Sequence, residues 1–317
     1  MGRRKSGRNV SGVILLNKPS DITSNAALQT VRRFFNANKA GHTGALDPLA
    51  TGLLPLCFGE ATKVSHFALE ADKTYQVVAQ LGARTTTSDA EGEVVERCTN
   101  EQLGEVTRER IEQAIIHFTG EQEQSPSMFS ALKHEGRPLY WYARQGIEVP
   151  RKTRTIVIRN IEFIDWREHQ LTLEVTCSKG TYIRTLIDDM GQFLGCGAYV
   201  EKLHRTWIEG VEGAMLTLEE LTAVAAQTDP ENNDYAAMDA LLQANDSVVR
   251  QMPWVTIDGT DVARFLSGNP VRTALGEHNP EHPIRVLRAH DQQFLGIGVW
   301  RDGRLAPKRV VNLSDAN

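Results

Sequence analysis

The 317-residue sequence predicts an α+β body joined to a smaller, mainly β module. Three observations predict it. From Gly12 to Phe193, short apolar or alternating runs of strand type interchange with segments of helical period. Beyond Pro253 the helical period gives way to short strands set between turn signals. Between the two lies a polar, acidic stretch at 227–234 with the composition of a linker. The chain is long enough for two domains, and 41% hydrophobic with 24% charged residues is the balance of a soluble globular protein. The expected organisation is a flexible basic arm over 1–10, a body over 11–226 with an insertion at about 121–152, an acidic linker over 227–252 and the β module over 253–317.

The elements follow in order. Residues 12–16 form an apolar run ending at Asn17-Lys18-Pro19, the pattern of a strand entering a turn. Ser24 is placed to cap a helix through about residue 35, with Leu28, Val31 and Phe35 on one face. A further helix is expected over 60–71, a strand over 74–81 and a polar turn over 85–92. Thr107 caps a helix whose buried stripe is Ile111, Ile115 and Phe118. Residues 121–151 are too long and too mixed in pattern for a plain connection, which marks a functional insertion. Strands near 155–163 and 171–177 come next. Gly180 then leads into a helix over 181–193 bearing Tyr182, Arg184, Asp188 and Asp189. In the last module strands are expected at 255–257, 284–289, 294–299 and 309–313, with turns at Gly268-Asn269-Pro270, Asp291-Gln292 and Asp302-Gly303.

A net charge of −5 argues at first against a nucleic-acid partner, but its distribution argues for one. Nine acids and no Lys or Arg lie from Glu209 to Asp246; setting those nine aside, the remainder of the chain carries +4. Between Ser125 and Thr155 the cations Lys133, Arg137, Arg144, Arg151, Lys152 and Arg154 face only Glu135 and Glu148, with Phe129, Tyr140, Trp141 and Tyr142 among them. That is either a charged surface excursion or a surface that meets phosphates and bases. Cys57, Cys98, Cys177 and Cys196 form no C-x-x-C pair and suggest reduced thiols in the cytoplasm. His278 and His282 have ligand-like spacing, but Pro280 and the loop-like surroundings argue against a metal. No apolar run has the length of a membrane span, the basic stretch Met1 to Arg8 is not followed by a secretory h-region, and no phosphate-binding glycine loop indicates a nucleotide cofactor.

The stretch Gly41-His42-Thr43-Gly44-Ala45-Leu46-Asp47-Pro48-Leu49-Ala50-Thr51-Gly52 sets one carboxylate among Leu46, Leu49, Leu53 and Leu54. The nearest other acids are Asp21 and Glu60. Asp47-Pro48 is one of two things: the opening of a turn, or a desolvated carboxylate kept where chemistry occurs.

Taken together, these segments resemble the bacterial TruB-type tRNA pseudouridine synthase family over nearly the whole chain. The resemblance runs, in order, through Asn17-Lys18-Pro19 with Thr23-Ser24, the Asp47 stretch, Gly59-Glu60-Ala61-Thr62-Lys63, Lys73-Thr74-Tyr75, Thr87-Ser88-Asp89 and Cys177-Ser178-Lys179-Gly180-Thr181-Tyr182-Ile183-Arg184. The C-terminal module is similar to a PUA domain through Gly268-Asn269-Pro270-Val271, Gly296-Ile297-Gly298 and Pro307. Ser20-Asp21 stands where relatives often have a glycine-containing turn.

The resemblance implies a mixed, largely antiparallel sheet with flanking helices around a central RNA-binding cleft. It implies isomerisation of the T-loop uridine at tRNA position 55, by base flipping and without cofactor or metal, with an accompanying role in tRNA folding. Asp47 is implied to be the nucleophile or base, through ring addition, C1′ attack or ribose proton abstraction, and Arg184 the cation beside it. The composition alone offers another place for Arg184, paired at i+4 with Asp188 on a helix surface. Tyr75 is implied to stack on the uracil and His42 to occupy space near the vacated base stack. Leu203 is implied as a pocket wall, Tyr182 as a substrate contact, and Lys18 and Lys63 as shaping the pocket and its approach. The segment from Ser125 to Arg154 would be a thumb that orders on tRNA, and a monomer would let the tRNA dock. Readings as a pure tRNA-folding module, or as a synthase for another RNA, differ in having no use for Asp47 or in the RNA modified.

Overall fold

The computed structural model describes residues 7–272 and 282–312. They fall into two units, one from Met1–Ala71 with Glu209–Asn317 and one from Asp72–Ile208. This division cuts across the expected one, because the chain leaves the first unit after Ala71 and rejoins it at Glu209.

The first unit begins with β1 (Gly12–Lys18), α1 (Ser24–Phe34), β2 (Ala40–His42), β3 (Thr51–Phe58), a 3₁₀ turn (Gly59–Lys63) and α2 (Ser65–Ala68). β3 pairs antiparallel with β1 and with β2. Thr23, not Ser24, caps α1, accepting from Ala26 N at 3.1 Å. The helix expected over 60–71 is broken into the 3₁₀ turn and α2. Thr62 Oγ1 donates to Gly59 O (2.6 Å) and Ser65 Oγ to Thr62 O (3.0 Å), so side-chain hydroxyls take carbonyls that a continuous helix would use.

The second unit opens with β4 (Lys73–Leu81), β5 (Ala83–Thr85), β6 (Val94–Arg97), α3 (Asn100–Gly104) and α4 (Arg108–Phe118). Thr107 caps α4 as expected, and Ile111 and Ala114 are buried. There follow β7 (Gly120–Gln124), β8 (Lys133–His134), β9 (Arg137–Pro138), α5 (Leu139–Ala143), β10 (Arg154–Arg167), β11 (Gln170–Cys177), α6 (Ile183–Leu194) and β12 (Ala198–Ile208). Strands β7, β10, β11, β4 and β12 are successive antiparallel neighbours. The excursion expected from residue 121 therefore begins after Gln124, since β7 belongs to the sheet.

The chain returns through α7 (Leu218–Ala225) and α8 (Ala236–Asp239). The stretch 227–252, expected as a linker, is seated on β1. Val13 and Gln243 exchange backbone hydrogen bonds at 3.0 and 2.9 Å, and Tyr235, Met238, Val248 and Val249 are buried. Of the expected arm, residues 1–6 lie outside the described residues. Arg8 is anchored, its guanidinium pairing with Asp239 at 2.5 Å and lying 4.2 Å from the Tyr235 ring centroid.

The C-terminal part contains β13 (Trp254–Ile257), α9 (Thr260–Leu266), β14 (Ile284–Arg288), β15 (Phe294–Arg301) and β16 (Arg304–Val310). β13 runs parallel to β14 and the others are antiparallel, around a core that includes Ile257, Phe265, Val286, Leu295 and Leu305. Asp302 and Gly303, at φ 50° and 70°, form the β15–β16 turn as expected. The last strand starts five residues before the expected Arg309, and Leu313 and His278 lie outside the described residues. No helix among the described residues is long and apolar enough to cross a membrane.

Candidate active site

In the first unit, the loop bearing Asp47 connects β2 to β3 and is fastened by its backbone. Lys18, at the end of β1, is 0% exposed. A buried ammonium needs acceptors, and its Nζ donates to Pro19 O (2.7 Å), Ile22 O (2.8 Å) and Pro48 O (3.1 Å). Ser24 Oγ donates to Leu46 O (3.0 Å) and accepts from Leu46 N (2.8 Å). The two residues flanking Asp47 are thus held from β1 and α1. Asp21 N donates to Pro48 O at 2.9 Å. Asp21 adopts φ 65°, the left-handed conformation a glycine would take without strain, so the departure at Ser20-Asp21 keeps the turn at a small conformational cost. Leu46, Leu53 and Leu54 are buried, while Asp47 is half-buried. His42 closes β2, opposite Leu56 and half-buried.

Lys63 stands in a different setting in the same unit. Its Nζ pairs with Glu60 Oε2 at 2.6 Å and donates to Val310 O at 3.0 Å, and Glu60 Oε2 also accepts from Asn312 N. This lysine clasps the end of β16.

In the second unit, β4 presents a half-buried Tyr75. On β12, Arg205 is registered with Tyr75 and Leu203 with Val77, so Tyr75, Val77, Leu203 and Arg205 share one face of neighbouring strands. Arg205 is 1% exposed and had no place in the sequence reading. A fully buried arginine beside a candidate stacking tyrosine is a structural feature that only the strand register reveals.

Tyr182 and Arg184 lie at the start of α6. Gly180, at φ 80°, turns the chain into the helix. The buried Gln124 side chain accepts from Tyr182 N (2.8 Å) and donates to Tyr182 O (3.1 Å). Arg184 is 4% exposed, and α6 turns it inward. Its Nη1 donates to Asp89 Oδ2 (2.9 Å) and Thr87 O (3.2 Å), and its Nη2 to Phe129 O (3.0 Å). A cation in the first turn of a helix opposes the helix dipole, and the Asp89 carboxylate offsets that. The i+4 alternative is overturned: Asp188 pairs with Arg84, at 2.7 and 2.9 Å.

Asp89 is the functional candidate that the sequence reading left without a role. It also accepts from Thr87 Oγ1 and from Glu91 N (3.1 Å), and its loop is latched to β12 by Ala90 N to Val200 O (2.9 Å) and Val200 N to Ser88 O (3.1 Å). The signal available was an aspartate ending a run of four hydroxyl residues, Thr85-Thr86-Thr87-Ser88.

Burial pushes the Cys57 thiol up to about 12 and the Cys177 thiol to about 11, so neither is a thiolate near neutral pH. Burial first, and Asp188 next, push the Asp189 carboxyl up to about 6. The folded protein thus holds this proton more tightly than the unfolded chain, whose aspartates titrate near 4. Stability falls as pH rises from about 4 through 6. Asp189→Asn should therefore gain thermal stability relative to the parent between pH 4.5 and 7.5, measured by melting curves. A constant difference across that range would contradict the assignment.

Three comparisons bear on the chain. Residues 32–183 match the TruB family pseudouridylate synthase N-terminal domain. Residues 184–250 match the tRNA pseudouridylate synthase B C-terminal domain and 253–311 the pseudouridine synthase II TruB C-terminal domain. The chain is 52% identical over 310 residues to tRNA pseudouridine synthase B of Idiomarina loihiensis, covering 98% of this chain and 96% of that protein. The chain belongs to the TruB family of pseudouridine synthases. The counterpart from Aliivibrio salmonicida is 50% identical, with 99% and 98% covered. In fold, the chain is similar to one in the crystal structure of a Cbf5-Nop10-Gar1 complex (TM-score 0.72, 24% identity, 94% and 84% covered). A chain in an H/ACA RNP bound to a substrate RNA gives TM-score 0.71 at 21% identity, with 98% and 92% covered. As a TruB family member the protein is an isomerase of α+β fold with a C-terminal β domain.

Proposed function

We propose that the protein converts uridine 55 in the T-loop of tRNA to pseudouridine, acting as a cytoplasmic monomer. The observation that carries the reading is the mounting of Asp47, a half-buried carboxylate whose two neighbours are held by a wholly buried lysine and a buried serine. A pure binding module has no use for a carboxylate fixed in this way. In this reading the uridine leaves the base stack and Asp47 attacks or deprotonates it. The N1–C1′ bond breaks, the base turns, C5 bonds to C1′, any bond to Asp47 is released, the C5 proton is lost to solvent and N1 takes up a proton in its place. No group is transferred and no oxidant is consumed. Tyr75 stacks on the uracil, Arg184 is the cation of the set, Leu203, His42 and Tyr182 contact the substrate, and Lys18 and Lys63 act by holding backbone. An unpaired loop, whose bases are free to splay and stack, is the kind of RNA such a site takes.

The test is an isolated T-arm hairpin offered beside full-length tRNA, with pseudouridine mapped in both. Conversion of the T-loop uridine in the hairpin is expected; conversion only at another position would overturn the reading.

The excursion 125–152 carries Arg137 over Trp141 (3.9 Å) and Arg144 over Tyr140 (5.5 Å), with Tyr140 exposed. Cations and rings presented together suit a surface that closes on RNA. Its amides are expected to gain protection from hydrogen exchange when tRNA is added. Unchanged exchange there would remove it from the RNA contact.

A further inference from the structure

We infer that Arg154 is a receptor for one backbone phosphate of the RNA substrate, a role that rests on RNA being what the protein modifies. Arg154 opens β10, opposite Gln124 of β7, and its guanidinium lies over the Tyr182 ring with Cζ 4.7 Å from the centroid. Two of its nitrogens, Nε and Nη2, are enclosed and meet no hydrogen-bond acceptor among the described residues. The neighbouring arginines are satisfied: Arg151 donates to Pro126 O at 2.9 Å, Arg159 pairs with Asp72 at 2.8 Å, and Arg184 has Asp89. The residue registered with Arg154 is an amide, Gln124, and both ends of that amide are taken by the Tyr182 backbone.

An arginine cannot shed its proton, and enclosed donors without acceptors are costly. The protein keeps this charge weakly screened and gives it a ring face instead of a carboxylate. The third nitrogen, Nη1, is not enclosed and faces Gly180, where a Cβ would stand 3.0 Å from it. Gly180 is exposed, so the side of the guanidinium that carries Nη1 is left clear where any other residue would crowd it. An anion reaching that edge meets a cation desolvated on its other side, which strengthens the pairing. A phosphodiester offers an anionic acceptor oxygen, and a charge-assisted N–H···O bond from Nη1, the nitrogen open to it, is short and strong. The site lies in the loop that carries Tyr182 and leads to Arg184, so a phosphate held there fixes the RNA strand beside two residues of the proposed active site.

The competing role is positional: Arg154 would only hold the Tyr182 ring. Binding of a full-length tRNA transcript, titrated from about 50 to 200 mM salt, separates the two. For Arg154→Gln, the slope of log affinity against log salt should shrink by roughly 0.7 to 1, the loss of one phosphate contact. Arg154→Lys should keep the slope, since a lysine still pairs with phosphate as a point charge. An unchanged slope in Arg154→Gln with turnover lost would overturn the inference in favour of the positional role. A second measurement replaces single linkages of the T-arm with neutral methylphosphonates. One linkage should weaken binding to the parent protein and leave Arg154→Gln unaffected; if none behaves so, the inference fails. Failure of the T-loop reading is distinct from both, because it would appear as pseudouridine formed elsewhere by the parent protein while the salt slopes stayed as stated.

Discussion

Asp47→Asn is expected to bind tRNA as the parent does and to turn over roughly 10⁴-fold more slowly or worse. The substitution keeps size while exchanging one acceptor oxygen for an amide donor, and the loop should keep its shape. The groups that fasten it, Lys18 and Ser24, act on the backbone of Pro48 and Leu46 and not on the Asp47 side chain. What is lost is a carboxylate able to attack or take a proton. Single-turnover rates and dissociation constants, measured on the same preparations, separate the two effects. Equal losses in binding and in rate would make Asp47 a recognition residue and return the protein to the class of RNA-folding modules.

Asp89→Ala is expected to cost about 3 kcal/mol or more of folding stability, the penalty for leaving one member of a buried ion pair without its partner. Both side chains are sealed, Arg184 at 5% and Asp89 at 2% exposure. The two halves of the pair are not equivalent. Removing Asp89 leaves a guanidinium that still donates to Thr87 O and Phe129 O but cannot lose its charge. Removing Arg184 leaves a carboxylate that still accepts from Thr87 Oγ1 and Glu91 N and that also has protonation open to it. Denaturant unfolding should therefore rank Asp89→Ala as more destabilised than Arg184→Ala. The reverse order would show that the pair is not held by the fixed charge of Arg184. Both variants should also lose turnover, because Arg184 is the proposed cation and Asp89 orders it.

The elements that the sequence made legible are those with clear period or punctuation. The capped helix at Thr107, the strand at Tyr75 and the Asp302-Gly303 turn stand where their patterns placed them. β3 did not announce itself, since Thr51–Phe58 is buried on both faces and contains Gly52 and Pro55, so it shows neither alternation nor strand-like composition. β12 was hidden by register shifts between Val200 and Lys202 and between Arg205 and Trp207, which break the period of two. The burial of Arg205 stayed hidden with it.

Among the proposed site residues, Asp47 and Arg184 are each visible because the stretches around them resemble family motifs. Asp89 ends the stretch Thr87-Ser88-Asp89, yet its pairing spans 95 residues of chain and no local pattern encodes that. Lys18 and Lys63 show the limit of motif reading from the other side. Both fall in stretches that resemble the family's, but one is a wholly buried clamp on carbonyls and the other a tie to β16. The orphaned donors of Arg154 depend on what fails to face them, and only three-dimensional packing states that.

The measurement that tests the central claim most directly is tritium release from a tRNA transcript labelled at C5 of one uridine at a time, without added metal or nucleotide. The account predicts one tritium released per tRNA when the label is at position 55, none from other uridines, and none with Asp47→Asn. Release from another uridine with none from position 55, or undiminished release by Asp47→Asn, would contradict it.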